Sequence, residues 1–236
     1  PAAFDLAYLL SDRIVFETDV SKASSSSFAE KLNEYFAYRN NLTLRSAITP
    51  QTYRELQLYC DSKAISISQL LPFKPQFVSL MLTSIELRRL GVSSSGVDQH
   101  YHERARGDNK PVDELESLEQ QLSFLANMGV GQENELIRST IRENQRLAQL
   151  MSTILQAWRT GNYRQLEHEA LIPMKQEFPG IYRELVVERN NNWLPLIEDY
   201  LKTPETEMLL VGALHLVGDD GLINRLRKLG YDIVQR

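Results

Sequence analysis

Glu207-Met208-Leu209-Leu210-Val211-Gly212-Ala213-Leu214-His215 is the stretch whose reading decides the fold. Its apolar run reads as a short buried strand that closes on glycine. Gly218-Asp219-Asp220-Gly221 comes next, and a helical pattern then runs from Leu222 to Leu229. A strand, a histidine turn and a capped helix in that order put an imidazole at the mouth of a sheet. In open α/β sheets ligands bind there, beyond the carboxyl ends of the strands. The competing reading is a loop histidine that caps or packs.

Working outward, Phe4 to Leu10 reads as a helix and Arg13 to Thr18 as a β-branched strand that carries Glu17 near its end. Ser24 to Ser27 reads as a polar linker into a helix that runs through Tyr38. Thr49-Pro50 is an N-cap followed by a proline suited to the first helical position. Helices are expected over Gln76 to Leu90, ended by Gly91, and over Val97 to Arg106, after a turn at Ser93 to Gly96. Lys110 to Leu115 reads as a second short strand and Tyr231 to Val234 as a last one. Between them the pattern is helical: Ser117 to Asn127, Glu133 to Trp158, Asn162 to His168, Lys175 to Val187 and Glu188 to Leu201. The expected fold is therefore mixed α/β, one domain over residues 1–236. A small central sheet is assembled from both chain ends, with a mostly helical insertion at about 117–205.

Composition bounds the function. With 236 residues, 42% of them apolar, the chain can bury a sizeable core. A net charge of −5 and a pI near 5.5, with no basic stripe, argue against a nucleic-acid surface, which needs clustered Lys and Arg. No apolar run approaches the ~20 residues of a membrane-spanning helix. The single cysteine, Cys60, excludes an intramolecular disulfide and a cysteine-rich zinc site, and its helical setting suggests an inert core thiol. The chain opens at Pro1 rather than Met, so it is expected to be a processed or trimmed product of a longer sequence.

Several residues suit chemistry. If the strand before Glu17 and the strand before Gly212 are parallel neighbours, Glu17 and His215 emerge at one edge. A carboxylate and an imidazole meeting there suit a divalent metal or a general base with its partner, and a helix cap or an arginine pair is the alternative for Glu17. His100 and His102 are two apart on a helix and point in nearly opposite directions, so they are not expected to share a metal and are expected as surface or boundary residues, while His168 sits in a polar helix and is expected to be solvated. Asp98 is placed for a role at the turn beside them. Glu116 comes after the second strand, where it suits either a helix N-terminus or the strand-end crevice. Arg189, Asn190 and Trp193 share one helical face on which an arginine and an amide can hold a carboxylate or peptide carbonyl, with the indole as platform. Ordinary packing at a helix start competes with that role.

Together, Pro1 to Asp19, Gly96-Val97-Asp98-Gln99, Lys110 to Val112 with Leu115 to Gln120, Arg189-Asn190 with Trp193, and Val211 to Gly218 resemble the TraB/GumN family, which includes the Tiki-type proteins. The resemblance covers nearly the whole chain. It implies a mixed α/β fold and a metal-dependent site, proteolytic in the Tiki branch, built from two Gly-x-x-His motifs and a strand-end glutamate. The second motif falls on Gly212 to His215 and the glutamate on Glu17. The first motif would precede Pro1, so the chain is expected to lack one candidate ligand and to be inactive alone. The resemblance further implies a divalent transition metal (manganese, cobalt or zinc) on His215 and Glu17, with Glu17 alternatively a general base. Arg189 and Asn190 would meet substrate or transition-state charge, and Asp98, Glu116, Trp193 and Gly212 would line the substrate side. A peptide or protein substrate and a periplasmic, envelope-associated or extracellular setting are implied with it. The same resemblance allows a non-catalytic peptide- or ligand-sequestering protein, and more distantly haem or metal binding without turnover. The polar surface of Glu133 to Trp158 suits a cleft or a homodimer contact.

Overall fold

A computed structural model describes residues 2–19, 21–22, 26–92 and 96–235; the expected turn at 93–95 and the serines at 24–25 lie outside them. The chain divides into two compact units. The first comprises 1–25, 95–121 and 152–236, and the second 26–94 and 122–151. The helical stretch expected at about 117–205 is thus shared: 122–151 belongs to the second unit, and the remainder belongs to the first. One long helix, Glu133–Arg159, contributes residues to both units.

The first unit holds the sheet. Strands β1 (Arg13–Phe16), β2 (Val112–Glu114) and β3 (Glu207–Leu210) stand in the order β2-β1-β3, all parallel, so the condition for Glu17 and His215 to emerge at one edge is met. Central β1 is buried on both faces, which is why Ile14-Val15-Phe16 is continuously apolar. Ile14 and Phe16 pack on one face with Tyr8, Tyr101, Ala105, Met208 and Leu210. Val15 packs on the other with Leu115, Trp193, Ile197 and Leu222. The two-residue repeat of a strand therefore fixes which side chains reach which helix layer. Helix Leu118–Asn127 starts in a capping box: Ser117 Oγ accepts from the Gln120 N–H at 3.2 Å, and Gln120 Oε1 accepts from the Ser117 N–H at 2.8 Å.

Tyr231 to Val234 forms no strand. Its residues have the right propensity, but propensity without a ladder partner leaves the backbone in an irregular segment. The helix expected over Asn162 to His168 runs into a π-helical turn, Glu167–Leu171, that continues beyond it, and the stretch expected over Lys175 to Val187 ends in another, Arg183–Val187. The second runs directly into helix Glu188–Tyr200, which carries Arg189, Asn190 and Trp193.

The second unit is helical, around Leu44, Ile48, Leu56, Tyr59, Cys60, Leu70, Val78, Leu82 and Ile137. Thr49 caps helix Pro50–Ser62 by accepting from the Thr52 N–H. Gly91, at φ +81°, turns the chain at the end of helix Pro75–Arg89. Cys60 is fully buried, and burial pushes its thiol up to about 11, as expected of an inert thiol.

Candidate active site

Register brings three strand ends together. Phe16 pairs with Leu210 on one side and with Glu114 on the other, so Glu17, Glu116 and Gly212 leave the sheet side by side. The ladder continues past β1 through Leu115 N–H to Phe16 O and Glu116 N–H to Glu17 O, both 2.9 Å. Alternation turns Glu17 toward the face of Val15, the face that Trp193 covers. Glu17 Oε1 accepts from the Gly212 N–H at 2.5 Å. A side chain at 212 would start 3.2 Å from that oxygen, so glycine leaves room for the carboxylate. Gly212 then opens a short turn of helix, Ala213–Leu216, which tucks His215 inward.

Arg189 is the hub. Its Nε and NH2 donate to Glu116 at 3.1 and 2.7 Å, NH2 also donates to Glu17 Oε2 at 2.6 Å, and NH1 donates to His215 Nε2 at 3.0 Å. The guanidinium lies over the Trp193 indole, 4.6 Å from the ring centroid, and Trp193 Nε1 donates to Glu116 Oε2 at 3.1 Å. Burial works against the Arg189 charge, but hydrogen bonds to Glu116 and the nearby Glu17 outweigh it and hold the pKa above the ordinary arginine value. Burial lifts the Glu116 carboxyl, against the contacts from Arg189. Arg189 and Glu116 form a buried ion pair, 2.7 Å apart. Such a pair is neutral or weakly stabilising as a whole, and costly to break from one side.

Asn190, fully buried, fixes the histidine. Its Nδ2 donates to the backbone carbonyls of His215 (3.1 Å) and Asp220 (2.9 Å), which leaves Oδ1 facing His215 Nδ1 at 2.8 Å. Only an Nδ1–H tautomer satisfies that contact, so Nε2 carries the lone pair that accepts from Arg189. Burial pushes the imidazole down to about 4; the charge of Glu17 opposes this and that of Arg189 adds to it. His215 is neutral at physiological pH. The Asn190 carboxamide is thus committed to the protein's own groups.

Asp98 keeps an exposed edge at the rim, yet local desolvation and then the charge of Glu17 push its carboxyl up. His102 is half-buried, with its Nε2 3.2 Å from Asp19 Oδ1, while His100 and His168 are exposed. Sequence reasoning missed the Asp220 support: its carbonyl holds Asn190, and its carboxylate accepts from Tyr182 Oη at 2.7 Å and Lys175 Nζ at 3.2 Å. The clue was the Gly218-Asp219-Asp220-Gly221 turn. A Cβ at 221 would strike the carbonyl oxygens of Leu216 and Val217, so only glycine closes that turn behind the histidine.

The family model for TraB/PrgY/gumN proteins matches residues 1–235, a span that includes every residue of this cluster. The chain belongs to the TraB/PrgY/gumN family. Among curated proteins it is similar to the Uncharacterized protein YbaP of Escherichia coli (strain K12) and to the protein of the same name from Shigella flexneri. Each is 26% identical over 228 residues, covering 92% of this chain and 77% of the relative. No solved structure matches the chain. Among the described residues no helix is long and apolar enough to cross a membrane, and no three or more His, Cys, Asp or Glu side chains are grouped to hold a metal. For the metal implied in the Tiki branch, His215 and Glu17 have suitable chemistry. The imidazole is neutral, its Nδ1–H is held by a carbonyl-type oxygen as metal-ligating histidines require, and Nε2 and Glu17 Oε2 converge on one edge of Arg189.

Proposed function

We propose that the Glu17, Glu116, Arg189 and His215 cluster is the working face of a metal-dependent hydrolase that cleaves peptide bonds. The observation that carries this reading is that a neutral, tautomer-fixed imidazole nitrogen and a carboxylate oxygen both face one edge of the Arg189 guanidinium at the strand ends. The Tiki-type resemblance supports a peptide as the substrate. His215 and Glu17 would hold a divalent cation, which when bound supplies Lewis acidity toward a carbonyl and acidifies water. Glu17 either shares the cation or takes the proton from the attacking water. Arg189 faces negative charge that develops on the carbonyl oxygen, held at its other edge by Glu116 and from below by Trp193. Asn190 keeps His215 in the reactive tautomer.

Alanine at His215, or at Glu17, is expected to abolish metal-dependent peptide hydrolysis while the circular dichroism spectrum stays that of the parent. Hydrolysis that survives both changes unreduced would overturn the assignment. A second reading, peptide or ligand sequestration without turnover, is favoured by the way the protein's own groups already engage Arg189, Asn190 and Glu116. Tight peptide binding with no product would support it.

A further inference from the structure

The outer edge of Arg189 occupies the two acceptors that the proposed metal needs. His215 Nε2 lies 3.0 Å from NH1, and Glu17 Oε2 lies 2.6 Å from NH2. A transition metal sits about 2 Å from an imidazole nitrogen or a carboxylate oxygen and uses the same lone pairs. A cation placed on those two atoms would fall where the guanidinium nitrogens are. It would also face a positive charge at contact distance in a buried setting, where screening is weak. The two cations are mutually exclusive as Arg189 now stands.

The inner edge of Arg189 has separate holders. Nε and NH2 bond to Glu116, the indole of Trp193 lies against the guanidinium, and Trp193 Nε1 fixes the far oxygen of Glu116. NH2 is shared between Glu116 and Glu17 and the guanidinium is a rigid plane, so NH1 and NH2 leave His215 and Glu17 only if the whole group pivots about its Nε bond to Glu116. We propose that Arg189 is an intramolecular counter-cation, which competes with a divalent metal for His215 Nε2 and Glu17 Oε2 and admits the metal only when its outer edge withdraws. This rests on the metal reading above. It adds that this chain lowers its own metal affinity, and that the occupant displaced on loading is a side chain rather than water.

The test is a titration with Co²⁺ alone, read by calorimetry and by the visible absorbance of bound cobalt, on the whole protein and on the double variant Arg189→Met with Glu116→Gln. The double change removes both buried charges, keeps a hydrogen-bond acceptor for Trp193 and fills the arginine's apolar volume, so folding is preserved. At least tenfold tighter Co²⁺ binding is expected in the double variant, reversed when His215→Ala is added to it. Arg189→Lys, which keeps the charge beside Glu116 but cannot reach both acceptors as a fork, should tighten binding by a smaller factor, and it serves if the double variant does not fold. Equal affinities across parent, double and lysine variants, all lost with His215→Ala, would overturn the competition and leave the metal reading standing. No Co²⁺ binding to any of them would overturn both.

Discussion

His215 gives the cluster a stability signature that can be worked through from its burial. In the unfolded chain its pKa is near the ordinary 6.5, and in the fold burial holds it at about 4. The folded state therefore binds the proton less well than the unfolded state. Above pH 6.5 neither state is protonated and the group costs nothing. As pH falls below 6.5 the unfolded chain takes up a proton that the fold refuses, and stability declines until pH about 4, below which both are protonated. Roughly 2.5 pH units at about 1.4 kcal/mol each give a loss of about 3 kcal/mol. That is a large share of the ~5–15 kcal/mol that holds a typical protein folded. The assay is urea unfolding at half-unit steps from pH 7.5 to 4, on the protein and on His215→Gln, which cannot titrate. The difference between the two curves isolates the histidine from the carboxylates that titrate in the same range. A parallel NMR titration follows the His215 Cε1–H directly. A difference curve that is flat between pH 6.5 and 4, or a His215 midpoint near 6.5, would refute the burial and tautomer argument.

The same geometry gives four further expected outcomes. Asn190→Leu removes the acceptor of Nδ1–H and strands two buried carbonyls, at a cost of about 3 kcal/mol, and the ¹⁵N shifts of His215 should lose their Nδ1–H signature. Arg189→Met alone leaves the Glu116 carboxylate buried without its cation and should cost ~3–5 kcal/mol in urea unfolding, whereas adding Glu116→Gln should recover most of that loss. Gly221→Ala forces a methyl into the Leu216 and Val217 carbonyl oxygens, so thermal melting should show a loss of ~1–3 kcal/mol, against little change for Gly180→Ala, where the space is open. Cys60 should stay silent to a thiol reagent at pH 8 until denaturant is added.

The strand ends were legible because their signal is local. Ile14-Val15-Phe16 and Met208-Leu209-Leu210 are apolar runs of strand length bounded by polar turns, whereas their parallel pairing was only a condition in the sequence and is seen in the fold. Glu17 beside Gly212 was readable for the same reason. The pairing of Glu116 with Arg189 was not, because 73 residues separate them and either side chain alone suits a helix end. Asn190 was expected to face a substrate. Its helical face was right, but only the fold reveals that two backbone carbonyls and the imidazole use up its amide. The π-helical turn Arg183–Val187 has no composition of its own, so a 3.6-residue pattern runs through it unbroken. Tyr231 to Val234 shows the converse: strand propensity that no neighbouring strand takes up.

The proposed metal-dependent peptide cleavage at these strand ends is tested most directly by one measurement. The whole protein is incubated with a peptide library, with chelator, and with manganese, cobalt or zinc added back, and the products are read by mass spectrometry. The expected result is cleavage that chelator abolishes, that one of these metals restores, and that disappears with His215→Ala. Cleavage indifferent to chelator, or peptides retained intact under every metal, would contradict it.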